Sequence, residues 1–157
     1  MEKKKILGIL FLLFSVGFVF SDVTYHGNES GSRRVLIAAE KTRYKDQLVE
    51  VLIEKLDDGD TLIVQVDHMN GELGGMDPRD FDAVFITNSG AQARVRPAVM
   101  EWLASVRNYD DNVILHTTQI TEWVPDVKVD SITSASKTRN IDTLSDDLVK
   151  RIKALFR

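Results

Sequence analysis

The chain contains the segment Arg34-Val-Leu-Ile-Ala-Ala-Glu-Lys-Thr-Arg-Tyr-Lys-Asp46, whose two halves differ in character. The first half, Val35 to Ala39, is a short apolar run without alternation, which is typical of a strand covered on both faces in a parallel sheet. The polar half that follows predicts a turn into a helix. In open α/β proteins this strand-to-helix turn is a common place for a phosphate group, because the first N–H groups of the helix are free to bind it.

The turn itself lacks the small residues that a phosphate site needs. Consecutive N–H groups approach an anion closely only where side chains are small, so such loops prefer glycine and hydroxyl residues. Glu40, Lys41 and Arg43 instead supply bulk and a carboxylate. Lys41, Thr42, Arg43 and Lys45 could still meet a phosphate or carboxylate at the first turn of the helix, whereas Glu40 opposes an anion there.

Apolar segments along the rest of the chain predict four further strands and three helices. The strands are predicted over 61–66, 83–87, 112–117 and 127–133 because these segments are apolar and β-branched. Helices are predicted over 44–57, from Pro97, and from Thr143, where Asp146 completes a capping signal. The connections 68–79 and 118–126 are too rich in glycine or polar residues for full helices.

This order of elements predicts an α/β fold. We expect a single three-layer, doubly wound domain over 33–157, with a five-stranded, mostly parallel sheet and two shortened crossover helices. Residues 22–32 are polar and rich in glycine and serine, so they predict a flexible tether.

Residues 1–21 have the pattern of a signal peptide. Three lysines, Lys3 to Lys5, precede an apolar run over 6–20, and Ser21 follows it. The run is shorter than the roughly 20 residues of a membrane-spanning helix, although an uncleaved N-terminal anchor stays an alternative. We therefore expect an exported protein, periplasmic or extracellular, that touches the membrane only through this segment if it is uncleaved.

Composition excludes several classes of function. The net charge of −4 argues against nucleic acid as a partner. The absence of cysteine removes disulfides and thiolate chemistry, and His26, His68 and His116 lack the spacing of metal ligands. His68 is predicted in a surface turn and His116 as a hydrogen-bonded strand residue. No Gly-x-Ser-x-Gly motif is present, so no catalytic residue is assigned.

Over roughly 33–156 the order of strands and helices resembles the flavodoxin-like family. Flavodoxins hold the phosphate of FMN with a loop of the form Ser/Thr-x-Thr-Gly-x-Thr after the first strand. The matching positions here are Ala39, Lys41, Thr42 and Tyr44, so most of the hydroxyls and the glycine are missing. Flavodoxins also pack the flavin ring between the loops after strands three and four, where this chain offers one aromatic residue, Trp123.

In open α/β sheets a ligand binds outside the carboxyl ends of the strands, near the switch in strand order. If the strands are ordered as in flavodoxins, this rule brings three loops together. The candidate residues for FMN or another anionic ligand are Lys41, Thr42, Arg43, Lys45, Asn88, Ser89, Gly90, Thr117, Thr118 and Trp123.

A second site is suggested by resemblance to the covalent flavinylation motif of exported FMN-binding redox domains, Asp-x-x-Ser/Thr-Gly-Ala-Ser/Thr. Asp130, Thr133, Ala135 and Ser136 match it, whereas Ser134 replaces its glycine. In that motif the last hydroxyl carries FMN through a phosphoester, which would be Ser136 here. The plain alternative is a strand that ends in a serine-rich loop before a helix.

Two functions follow as hypotheses. The first is a non-catalytic binding or interaction module without a cofactor, whose partner is an unknown protein or a small anionic ligand. The alternative is an FMN-binding electron-transfer protein that holds FMN at the strand ends or covalently at Ser136. Fold alone does not decide between them.

Overall fold

The computed structural model describes residues 23–92, 94–120 and 123–156. The predicted signal peptide or anchor over 1–21 lies outside these residues. None of the helices in the described ranges is long and apolar enough to cross a lipid bilayer. The strands are β1 (Thr24–Gly27), β2 (Arg33–Ala39), β3 (Thr61–Asp67), β4 (Ala83–Ser89), β5 (Val113–Thr118) and β6 (Asp130–Ser134), and the helices are α1 (Arg43–Leu56), α2 (Pro97–Val106) and α3 (Ile141–Ala154).

The six strands form one sheet in the order β1-β3-β2-β4-β5-β6. Strands β2 to β6 are parallel, and β1 pairs antiparallel to β3 at one edge. This is an α/β, flavodoxin-like fold, as predicted. The sheet has six strands rather than five, because part of the predicted tether is a strand.

The prediction of a flexible tether over 22–32 is therefore wrong for residues 24–27. Tyr25 pairs with Val64 of β3, and the His26 ring is hydrogen-bonded to the Gln65 side chain at 2.9 Å. The pattern of the segment did not reveal this strand because β1 is short, lies at an edge and is exposed at three of its four residues. Such a strand needs no apolar run.

Helices cover both faces of the sheet, as expected for a doubly wound fold. The apolar sides of α1 and α3 share one core cluster with alternate residues of the strands, and α2 packs into the cluster on the opposite face. Both shortened crossovers are confirmed. Three short 3-10 turns between His68 and Asp80 replace a helix after β3, and residues 123–129 contain no helix before β6.

The start of α3 differs from the predicted cap at Thr143. The helix begins at Ile141, directly after a 3-10 turn over Thr138–Asn140. Ile141 is buried in the core cluster, so packing places the first turn three residues earlier than a cap at Thr143 would. Thr143 is then an exposed residue inside the helix.

Candidate functional site at the carboxyl ends of the strands

The switch in strand order lies between β2 and β4. From β2 the chain crosses to β3 on one side, whereas β4 lies on the other side of β2. A crevice between β2 and β4, outside their carboxyl ends, is where open α/β proteins usually bind a ligand. Glu40 directly follows β2 and Ser89 ends β4, so these two residues define the entrance to the crevice.

The carboxylate of Glu40 fills this position. Its Oε1 accepts a hydrogen bond from the Ser89 backbone N–H and lies 3.2 Å from the ammonium of Lys45. Its Oε2 accepts from Arg96 Nε at 3.1 Å and lies 3.0 Å from Arg96 Nη2. Glu40 is only 5% exposed. The donors that could have bound a ligand anion are therefore directed at an anion of the chain itself.

Lys45 closes the crevice from the helix side. It lies in the first turn of α1 and is 1% exposed. Its ammonium donates to Ser89 Oγ at 2.8 Å and to Thr118 Oγ1 at 3.1 Å, besides its contact with Glu40. Thr42 caps α1 by accepting from the Lys45 backbone N–H at 3.3 Å. The backbone N–H and the ammonium of Lys45, which a phosphate would need as donors, are therefore already bonded within the chain.

The pKa values of the pair agree with an internal ion pair. Burial by itself would raise the pKa of Glu40, but the hydrogen bond from Ser89 and the charges of Lys45 and Arg96 outweigh burial and hold that pKa below its usual value. Burial lowers the pKa of Lys45, and Glu40 opposes this effect. We treat both groups as charged at neutral pH because three acceptors surround the ammonium.

A buried polar layer lies beneath the ion pair. Asn88 donates to Thr117 Oγ1 at 3.1 Å and to the His116 carbonyl at 3.2 Å, and its Oδ1 accepts from the Arg96 backbone N–H at 3.2 Å. The Gly90 N–H donates to the Thr118 carbonyl at 2.8 Å. These bonds satisfy the polar groups of the layer internally.

The predicted site residues thus divide into two sets. Lys45, Asn88, Ser89, Gly90, Thr117 and Thr118 come together, as expected from the strand order, but they bond to each other and to Glu40. The remaining four lie at the same end of the sheet: Lys41 and Arg43 are exposed, Thr42 is the helix cap, and Trp123 is half-buried. Whether any of them binds a ligand stays a prediction.

Two residues of the segment that resembles the flavinylation motif, Asp130 and Ser134, have structural partners. Asp130 accepts two hydrogen bonds of 2.9 Å from Arg151 of α3, and Ser134 Oγ lies 2.8 Å from the His116 ring. Ser136 is exposed on the loop after β6. Asp130 and Ser134 therefore have roles in the fold that need no flavin.

Sequence reasoning missed the two residues that complete the network. Glu40 is predicted only as an obstacle to anions and Arg96 is not among the predicted site residues, whereas the two form an ion pair. A single acidic residue among cations, directly after a buried strand, was the available signal. The surface turn predicted for His68 is also wrong, since His68 is 1% exposed and its Nε2 donates to the Thr87 carbonyl at 3.1 Å.

His116 lies in the same buried layer. Its Nδ1 is 2.9 Å from Thr87 Oγ1, its Nε2 is 2.8 Å from Ser134 Oγ, and its ring stacks on Phe85. Burial, together with the nearby charge of Lys45, lowers the pKa of His116 to about 4. The ring therefore stays neutral in the folded protein at moderately acidic pH.

Acidification is expected to destabilise the protein through His116. Between pH 6.5 and pH 4 the unfolded chain binds a proton at this residue and the folded chain does not, so stability falls as pH falls. From pH 7.5 to pH 5 the free energy of unfolding should decrease by about 2 kcal/mol from this residue. Urea unfolding at both pH values, with His116→Gln as the control, measures this contribution.

The control should lose most of the difference between the two pH values. Some dependence should remain, because burial also lowers the pKa of His68. Glu40 adds a loss only at lower pH, as its carboxylate becomes protonated. An equal pH dependence in His116→Gln and the wild type would contradict the assignment to His116.

No protein-family model and no curated protein sequence matches this chain. Among solved structures, it is similar to a flavodiiron core protein from Synechocystis, with a TM-score of 0.54 and 8% identity over 81% of this chain and 36% of that one. It is also similar to the lysine decarboxylase of Francisella novicida, with a TM-score of 0.52 and 11% identity over 83% of this chain and 18% of that one.

A third similar structure is the general stress protein 14 of Treponema denticola, which was solved in complex with FMN. Its TM-score is 0.47, with 10% identity over 78% of this chain and 99% of that one. At 8% and 11% identity, the likenesses to the flavodiiron core and the decarboxylase describe the fold alone. The chain spans well under half of the flavodiiron and decarboxylase chains.

Proposed function

We propose that this protein is an exported binding or interaction module with a flavodoxin-like fold, and that it does not hold FMN in the crevice between β2 and β4. The observation that carries the proposal is the buried carboxylate of Glu40, which takes the hydrogen bonds of Ser89 and Arg96 and the contact with Lys45. Export is proposed because three lysines and an apolar run precede the domain.

A phosphate in this crevice would have to displace Glu40. Left in place, the buried carboxylate would repel the phosphate, since two like charges at short range in a poorly solvated site are strongly unfavourable. Moved out, it would leave Lys45 buried among hydroxyls until the phosphate replaced the lost charge. Either path therefore makes phosphate binding weaker than it would be in a loop without a carboxylate at this position.

The alternative is an FMN-binding electron-transfer protein. Exposed cations at this end of the sheet, Lys41, Arg43 and Arg94, and the half-buried ring of Trp123 favour it. FMN would then lie above the closed crevice, or be joined covalently to the exposed hydroxyl of Ser136. In either case the protein would carry flavin when it is isolated.

Titration of the purified protein with FMN, followed by flavin fluorescence, tests the proposal. We expect no saturable change at micromolar FMN for the wild type. The control is Glu40→Ser, which removes the internal carboxylate and supplies a hydroxyl, and which should bind inorganic phosphate or FMN more tightly than the wild type does. Tight, one-to-one binding of FMN by the wild type would overturn the proposal.

The covalent form of the alternative needs a separate measurement. The intact mass of the denatured protein, taken from the envelope fraction of its native host, reports both processing and modification. We expect the mass of a chain that begins near residue 22, without flavin. A flavin mass that survives denaturation and disappears in Ser136→Ala would establish the alternative instead.

A further inference from the structure

An apolar groove lies between α2 and the connection from β5 to β6. One wall is formed by the loop before α2 and the first turn of that helix, and the other by residues 123–127. The groove has a volume of about 270 Å³. Its apolar lining residues are Val95, Met100, Trp123, Pro125 and Val127. Since Val95, Trp123 and Val127 also pack against the core cluster beneath α2, the groove opens the edge of this core to the surface.

An exposed apolar side chain projects beside the groove. Val124 is 71% exposed, although its neighbours Trp123 and Pro125 both line the groove. On the α2 wall, Met100 is 40% exposed. Single apolar side chains on a surface are common, but several of them around a depression mark a contact site for another molecule. The same surface therefore offers both a depression and an apolar side chain of the kind that fills one.

Charges of both signs border the groove. Arg94 and Asp126 line it and are exposed, yet neither side chain forms an ion pair or a hydrogen bond with the residues that the structure describes. Glu101, directly after Met100, is also exposed and has no such partner in the described ranges. A polar rim around an apolar centre is the usual anatomy of an interface between proteins. Because the rim has both signs of charge, it fits a partner that also offers both signs.

We propose that the groove binds a second copy of this chain in a two-fold symmetric dimer, in which Val124 of each copy enters the groove of the other. In such a dimer the same patch serves both copies, so the patch must be complementary to itself. A depression beside a projecting apolar side chain meets this condition. A cation and an acid on the rim meet it too, because Arg94 of each copy then pairs with Asp126 of the other. The inference goes beyond the proposed function by naming the chain itself as a partner.

A second copy fits the groove better than a small ligand does. Small-molecule pockets have volumes of roughly 300–1,000 Å³ and place polar groups inside to orient the ligand. This groove lies below that range, and its two charged residues are exposed at the rim. One apolar side chain from each copy gives a small interface. We therefore expect a reversible dimer that dissociates at micromolar concentration.

Cross-linking tests the contact, and the absence of native cysteine makes the reaction specific. Val124→Cys places a single thiol at the centre of the expected interface. Glu50→Cys is the matched control, because Glu50 is exposed on α1, which covers the opposite face of the sheet. Each full chain is expressed in the native host, and the envelope fraction is treated with a short bismaleimide. We expect a covalent homodimer of Val124→Cys, identified by its mass, and little of it for the control.

Charge reversal tests the symmetry of the contact. Arg94→Asp and Asp126→Arg each bring like charges together twice across the two-fold axis, so each variant alone should dimerise at least about tenfold more weakly than the wild type. An equimolar mixture of the two variants restores opposite charges at both contacts, so mixed dimers should form about as tightly as the wild-type dimer. Sedimentation velocity of the purified proteins measures each affinity. Circular dichroism checks that each variant is folded.

A third variant tests the apolar contact. Val124→Ser removes one inserted side chain from each copy. Burial of a Val side chain contributes about a tenfold factor in affinity, so the loss of two should weaken dimerisation about 100-fold. Because Val124 is largely exposed within one copy, its replacement should leave the circular dichroism spectrum unchanged.

Three results would overturn the inference. The first is a wild type that stays monomeric up to its solubility limit. The second is cross-linking of Val124→Cys that is no stronger than that of Glu50→Cys, or that captures another protein instead of a second copy. The third is a mixture of the two charge variants that associates no better than each alone. FMN titration reports on the crevice between β2 and β4, so failure here and failure of the proposed function are distinguishable.

Discussion

Replacing Glu40 by Gln is expected to lower the free energy of unfolding by about 3–5 kcal/mol, the range for breaking a buried ion pair by removing one partner. The change keeps the shape of the side chain but removes the negative charge that compensates the buried Lys45 ammonium, and it turns an amide NH₂ group towards the donors of Arg96 or of Ser89 and Lys45. Arg96 loses less, because a third of its side chain is exposed to water. Urea unfolding at pH 7.5, followed by circular dichroism, measures the loss.

The matched variants are Lys45→Met and the double change. Lys45→Met removes the buried ammonium, while Glu40 keeps its bonds from Ser89 and Arg96, so the loss should be smaller. The double variant should lose less than the sum of the single changes, by about 0.5–3 kcal/mol, since the two groups interact directly. A Glu40→Gln protein as stable as the wild type would contradict the assigned network.

Replacing Trp102 by Ala is expected to lower the free energy of unfolding by about 3–5 kcal/mol, as for other buried Trp and Phe residues. Trp102 is 3% exposed in the core cluster beneath α2, and its Nε1 donates to the Met76 carbonyl at 2.9 Å. Truncation removes the apolar packing and also the bond that holds the helix-free connection between β3 and β4. Chemical unfolding measures the change.

Two control variants separate these contributions. Trp102→Phe keeps an aromatic ring but loses the bond to Met76, which should cost less than the change to Ala. Met100→Ala lies on the same helix but at an exposed position, so it should change stability by no more than about 0.5 kcal/mol. If Trp102→Ala unfolds at the same urea concentration as the wild type, the packing of α2 is misassigned.

Much of the fold was predictable because its interior strands have a local signal. The apolar runs that form β2, β3, β4 and β5 are buried on both faces, and hydrophobicity alone marks such strands. Strand β1 has no such run, since it is a short edge strand whose partner residues lie some 40 positions away. The start of α3 was misplaced because burial of Ile141 outweighs the local capping signal.

The location of the candidate site was predictable from the sequence, but the contacts among its residues were not. The rule for open α/β sheets gathered Lys45, Asn88, Ser89 and Thr118 from three separate segments, and the structure brings them together. Glu40 could not be assigned in the same way. A carboxylate after a strand can face water or turn inward, and only the positions of the partners decide which.

The sequence by itself determined the α/β class, the mostly parallel character of the sheet and the absence of a glycine-rich phosphate loop, because each follows from patterns of residues that are close in the chain. Only the tertiary structure decided that Glu40, Lys45 and Arg96 neutralise one another inside the crevice. This outcome depends on contacts between residues far apart in sequence, and local patterns do not encode such contacts.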